Sequence, residues 1–211
     1  MTAIAAIWTP KRVVLAGNCR QAGDIWFALS CLDRDVGFDA AALLAEALEG
    51  NGRLDDKMAN FAENVETPLQ EALQRIFNSD KEGFKARFSG RDALGVVLFG
   101  RRHGEIFLSQ TGFVTKMRGK EVALKIRHVD YPDGKTTQMS VELVTAGLPA
   151  PLDEKFRAMT TEQQALVYPE KALQSFMAAA HATEPLLAAY PLPITKFSDN
   201  GAEQTVAEKP L

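Results

Sequence analysis

The second residue of the chain is a threonine, and a threonine at a free amino terminus holds a hydroxyl nucleophile and an amine on one residue. Removal of Met1 creates that pair: the α-amine, with an ordinary pKa of about 8, takes the hydroxyl proton near neutral pH and so acts as its general base. The chemistry on offer is attack on a carbonyl carbon. Behind Thr2, Ala3 to Trp8 is an apolar run, Thr9-Pro10-Lys11-Arg12 is a turn carrying Pro, and Val13 to Gly17 is a second apolar run. This order predicts strand, turn, strand, with Thr2 at the head of the first strand.

The remaining reactive residues offer less. Cys19 and Cys31 are too few for a disulfide framework or a metal cage, and their apolar settings read as buried, unreactive thiols, with a reactive Cys19 beside the site as the other option. His103, His128 and His181 make no ligand spacing, so no metal is expected. The glycines between residues 95 and 104 lack the Rossmann or phosphate-loop pattern, and no cofactor is expected. The paired Arg101 and Arg102 read as a solvated turn.

With 46% hydrophobic and 24% charged residues and a formal net charge of −3, the chain shows the balance of a globular protein and no basic footprint for nucleic acid. A run of about 18 apolar residues, as a membrane span requires, is missing from the sequence, and the first residues lack the pattern of a secretory signal. A cytoplasmic location is the expectation. The 211 residues suit one domain over 1–206 followed by a loose tail, 207–211.

The elements behind the hairpin follow from periodicity. Ile25 to Leu32 predicts a third strand. Asp39 caps a helix over Ala40 to Glu49, with Leu43, Leu44, Ala47 and Leu48 on one stripe. A second helix is predicted from about Leu54 to Phe77, with Pro68 expected to kink or divide it. Gly95 to Gly100 and Glu105 to Gln110 predict a hairpin, and Val122 to Val129 with Thr137 to Val144 a second, turned at Asp130 to Gly134, with Met139, Val141 and Leu143 on one face. Gly147 to Pro151 is a stiff connection. Asp153 to Ala158 reads as a helical turn, and a helical stretch from Thr160 or Thr161, interrupted at Tyr168-Pro169, resumes over Glu170 to His181. Pro191 to Phe197 and Ala202 to Val206 predict a closing hairpin. Runs of strands segregated from runs of helices predict an α+β plan with antiparallel sheets.

The opening residues, Thr2, the apolar strand, the Thr9-Pro10 turn, Val13-Val14-Leu15-Ala16 and then Asn18-Cys19-Arg20, resemble the amino terminus of the proteasome β-type subunits, a family of N-terminal nucleophile (Ntn) hydrolases. The resemblance implies a four-layer αββα sandwich, two antiparallel sheets face to face with helix layers outside. It matches Thr2 to the nucleophile and Arg20 to the arginine of the family's Asp-Ser-Arg-like tripeptide. Asn18 stands where that aspartate is expected, and an amide neither takes up a proton nor offsets a cation. Asp24 stands where the next strand would begin with lysine, and Arg34 is the nearest basic residue. Thr145-Ala146-Gly147 is the closest match to the family's Gly-Ser-Gly turn, which makes Gly147 the candidate to line an oxyanion hole. The family's Asp-x-x-Ser pair has no match.

Two functions follow from the resemblance. One is an N-terminal threonine peptidase or amidohydrolase with an altered site, acting on a peptide or amide substrate. The other is a catalytically inactive proteasome-like subunit that serves as an assembly or binding module, since members of this fold stack into rings; a homo-oligomer, ring or dimer, is expected in either case. An unrelated α+β binding domain is the third reading.

Overall fold

The computed structural model describes residues 3–31, 39–88, 92–137, 140–148, 150–185 and 190–208. In chain order the elements are β1 (Ile4–Thr9), β2 (Arg12–Ala16), β3 (Cys19–Ala22), β4 (Ile25–Cys31), α1 (Ala40–Glu49), α2 (Leu54–Ser79), α3 (Lys81–Phe88), β5 (Asp92–Arg102), β6 (Glu105–Arg118), β7 (Glu121–Tyr131), β8 (Glu142–Ala146), α4 (Ala150–Met159), α5 (Glu162–Val167), α6 (Pro169–Thr183), β9 (Leu192–Ser198) and β10 (Gly201–Ala207). The fold is α+β. Two antiparallel sheets, each of five strands among the described residues, run in the orders β10-β9-β2-β1-β8 and β3-β4-β5-β6-β7.

Side-chain alternation explains how the layers meet. All six positions of β1 are buried, because both faces of the strand are covered. Ala5 and Ile7 pack with Leu152, Phe156, Leu173, Phe176 and Met177 of α4 and α6. Ile4, Ala6 and Trp8 pack with Ala28, Val97, Phe99, Ile106 and Leu108 of the second sheet. That sheet alternates in turn: Phe27, Leu94, Val96, Leu98 and Phe113 face a third cluster built with α1, α2 and α3. The Trp8 indole N–H donates across the sheets to the Ile106 carbonyl at 3.0 Å, and its ring stacks on Tyr131 at 5.8 Å.

Local signals account for three of the helix starts. The Asp39 carboxylate accepts from the backbone N–H groups of Ala41 and Ala42, as its position before an apolar stripe predicts. Thr161 and Gln164 form a capping box at the start of α5. Pro169 begins α6, where a missing N–H costs nothing.

Several readings of the sequence need correction. Pro68 does not divide its helix, which runs unbroken from Leu54 to Ser79. An interior proline costs about 3 kcal/mol. Met58, Phe61, Val65, Leu69, Leu73 and Phe77 form one buried stripe through it, at about 1.5–3 kcal/mol per fully buried large side chain, so packing wins. Second, β7 and β8 are no hairpin. β7 stays at the edge of its sheet, while β8 crosses to the other and pairs β1. There Leu143 joins the α4 and α6 cluster and Val144 and Ala146 enter the space between the sheets, burial that pairing with β7 would not supply. Met139 lies outside the described residues. Third, β3 and α3 were not foreseen, each being short and mostly polar. α3 is held by Phe84 and Phe88, whose rings are 4.7 Å apart. Fourth, Arg101 and Arg102 are not simply solvated: they end β5 and pair with Asp199 and Asp130. The helical turn expected at 153–158 is a full helix from Ala150, and Ala207 closes β10 rather than opening a tail.

The sheets approach closely at Gly95. A Cβ added there would lie 2.6 Å from the Ala146 Cβ. Gly95→Ala is therefore expected to cost about 1–3 kcal/mol of stability, and adding Ala146→Gly should restore part of it. Urea denaturation of the three variants tests this, and an unchanged midpoint for Gly95→Ala would mean that the sheets do not meet there.

Candidate functional site

The site is built outward from the start of β1. Ile4 pairs with Ala146 of β8, and on the other side Ala5 pairs with Ala16 of β2. Ala3 is fully buried, so the chain enters the sheet between the ends of two neighbours. Met1 and Thr2 lie outside the described residues. Gly147 directly follows the Ala146 partner of Ile4 and is buried, with φ at 72°, a left-handed conformation that suits glycine. Asn18 lies two residues past Ala16 and is exposed. The structure thus brings Gly147 beside the start of β1 and places Asn18 at the same end.

Arg20 is placed differently. Its register partner on β4 is Phe27, which faces the helices, whereas the partner of Cys19 is Ala28, which faces the other sheet. Arg20 therefore projects on the helix side of β3 and is exposed, and Cys19 takes the inner face. Burial pushes the Cys19 thiol up to about 11, with a hydrogen bond to Thr195 offsetting only part of the rise. At neutral pH it is a protonated, unreactive thiol, in keeping with the sequence reading.

At this end the inter-sheet space holds polar groups that the sequence did not single out. Asp92 opens β5 at a β-bulge and is 7% exposed. Its carboxylate lies over Gly112, where an added Cβ would be 2.8 Å from Oδ1, so the bare glycine makes the seat. Arg127, on β7 opposite Gly112, reaches Oδ2 at 3.3 Å. Burial raises the Asp92 pKa, Arg127 draws it back, and the nearby Asp153 raises it again; burial dominates. Gln110 donates from Nε2 to the Thr145 carbonyl at 2.6 Å, tying β6 to β8. The Thr145 hydroxyl donates to the Asp153 carboxylate, which also accepts from Arg157 Nε at 3.1 Å. Ser30 is fully buried. Its register partner Gly95 abuts Ala146, and its Oγ lacks a hydrogen-bond partner among the described residues. Such an orphaned hydroxyl calls for an explanation.

Asp92 can hold a proton here, and Ser30 adds a hydroxyl beside the Gly95–Ala146 contact, Ala146 being the register partner of Ile4. Asp92 and Arg127 are 35 residues apart, so no linear spacing announced them. The visible signal was Gly95 and Gly112 inside otherwise bulky strands, which marks a close approach. The His128 Nδ1 is engaged with the Thr111 hydroxyl at 3.0 Å. Among the described residues no group of three His, Cys, Asp or Glu could hold a metal ion, and no helix is long and apolar enough to cross a membrane.

No known protein family matches the sequence, and no curated protein matches it.

The raised pKa fixes a pH dependence. The folded state binds the Asp92 proton more tightly than the unfolded chain does, so ionising Asp92 costs stability. That cost is fully present above the folded pKa and disappears as the pH falls below the unfolded value. Asp92→Asn should accordingly raise the melting temperature at pH 8, with the gain shrinking into the acid range. Thermal melts of both proteins between pH 4 and pH 8 measure this, and a variant less stable at pH 8 would show that the Arg127 pair outweighs burial.

Proposed function

We propose that the two sheets and their helices form the four-layer αββα sandwich of the Ntn hydrolases, and that Thr2, freed of Met1, is the nucleophile of an N-terminal threonine hydrolase acting on peptide or amide bonds. The carrying observation is the position of β1. It runs in mid-sheet, with its start beside Gly147 and, across the Ala146–Gly95 contact, near the buried Asp92. The layer order is supported by α1–α3 packing on one sheet and α4 and α6 on the other.

In this reading the Thr2 hydroxyl oxygen bonds to the amide carbon while its proton passes to the α-amine. The backbone N–H of Gly147 is assigned to the oxyanion. The protonated amine then gives its proton to the leaving nitrogen as the C–N bond breaks, and water hydrolyses the resulting ester. Asp92 supplies the titratable group that Asn18 cannot. Arg20, on the helix side of β3, takes no part in the chemistry.

A second reading, an inactive proteasome-like subunit that assembles into rings or dimers, is favoured by Asn18 in place of aspartate and by Asp24 in place of lysine. The two readings part on a pair of measurements. For the hydrolase, the intact mass of the native protein lacks Met1, an electrophilic amide mimic adds its mass at Thr2, and Thr2→Ala abolishes turnover while Asp92→Asn lowers it about a hundredfold. Retained Met1, with no labelling at Thr2 and a multimer on size-exclusion chromatography, would give the inactive subunit instead.

A further inference from the structure

Among the described residues the two sheets end in four edge strands, β3, β7, β8 and β10. An open edge is a row of unpaired backbone N–H and C=O groups, and proteins guard it with short strands, basic side chains or covering groups. Three of the four are guarded. β3 has four residues and β8 five, and the Gln110 side chain holds the Thr145 carbonyl of β8. β7 carries Lys125 and Arg127, and Gln74 of α2 accepts from the Val122 N–H and donates to the Lys120 carbonyl at its start. β10 is seven residues long, has no lysine, arginine or proline, and pairs with β9 alone.

The register shows which of its groups stand free. The Gly17 N–H donates to the Pro193 carbonyl, so Pro193, Thr195 and Phe197 turn their backbone groups to β2, and Leu192, Ile194, Lys196 and Ser198 turn theirs to β10. The partners of these four on β10 are Ala207, Thr205, Glu203 and Gly201. The alternate residues, Ala202, Gln204 and Val206, therefore direct N–H and C=O to the open edge, where no backbone hydrogen bond reaches them among the described residues.

This pattern is symmetric about Gln204. Laid antiparallel on a second copy, β10 sets Gln204 against its own counterpart and Ala202 against the second copy's Val206, each pair exchanging both of its bonds, so that no free N–H or C=O is left over. The one charge on the strand, Glu203, then faces the Thr205 hydroxyl of the second copy and not another carboxylate. Val206, 60% exposed, gains a cross-strand neighbour on its own face. β7 lacks this property: laid end to end on a second copy, it sets Lys125 against Arg127.

We infer that β10 is a self-pairing edge through which two copies of this chain form a twofold dimer, joining their sheets into one. The contact uses none of the groups assigned to chemistry, and it stands or falls without the hydrolase reading.

The test is sedimentation equilibrium of the full chain at rising concentration. The native mass should climb from the 23.1 kDa of one chain towards twice that value. Gln204→Pro removes an N–H that only the second copy uses, at an edge position where proline is tolerated, and should weaken association at least about tenfold while leaving the melting curve of the dilute protein in place. Gln204→Lys, which sets like charges face to face across the axis, should weaken it as well, and salt should relieve part of that loss. A chain that stays monomeric at the highest concentration reached, or an assembly that keeps its size and affinity in both variants, would overturn the inference. If the proline variant fails to fold, Gln204→Lys decides it alone.

Discussion

Burial of β1 on both faces is the constraint on which the rest of the structure depends. A strand covered on one side only would tolerate polar residues at every second position, whereas Ile4 to Trp8 offers none. Its outward residues, Ala5 and Ile7, pack with α4 and α6, and its inward ones, Ile4, Ala6 and Trp8, fill the space against the second sheet. Two of the three clusters therefore share one six-residue strand. The Trp8 indole shows the cost of that position and its remedy, since its buried N–H needs a partner and finds the Ile106 carbonyl in the opposite sheet.

Against this dry background the polar groups near the start of β1 are conspicuous. A space lined by Ile4, Val97 and Ala146 would be most simply continued with more apolar side chains, yet it ends in Asp92, Gln110 and Ser30. Glycine at 95 and 112 gives up packing area to seat them and to let β8 come close. Stability alone does not ask for an ionisable group that burial disfavours in its charged form. A site that must carry a proton does, and the proposed hydrolase gives that arrangement a use.

What was legible in the sequence was local. The opening hairpin, the Asp39 cap, the Tyr168-Pro169 break and the closing hairpin are each written in a few adjacent residues, and each stands in the structure. The α+β class followed from the order of such signals. What stayed hidden depends on distant partners. Thr137 to Val144 had the alternation of a hairpin strand, but its pairing was decided by the open edge of β1 more than 130 residues earlier. Pro68 reads as a break until its stripe of buried neighbours is counted against it. The polar cluster was invisible for the same reason, because residues 30, 92, 110, 127 and 153 converge only once both sheets exist.

The strand orders also dictate a sequence of events during synthesis. In the sheet β3-β4-β5-β6-β7 every strand pairs with its neighbour in the chain, so it can close from contacts made as residues 19–131 emerge. The other sheet cannot. β1 and β2 are made before the other strands, yet β8 and β9, which flank them, follow only after residue 141. Until they arrive, the most apolar hairpin of the chain has two unsatisfied edges and two uncovered faces. Long-range closure of this kind is slow and leaves sticky surface in the open. The opening hairpin therefore lacks its lasting partners until β8 and β9 are made, and truncation before β9 would leave β2 without the strand it pairs with on that side.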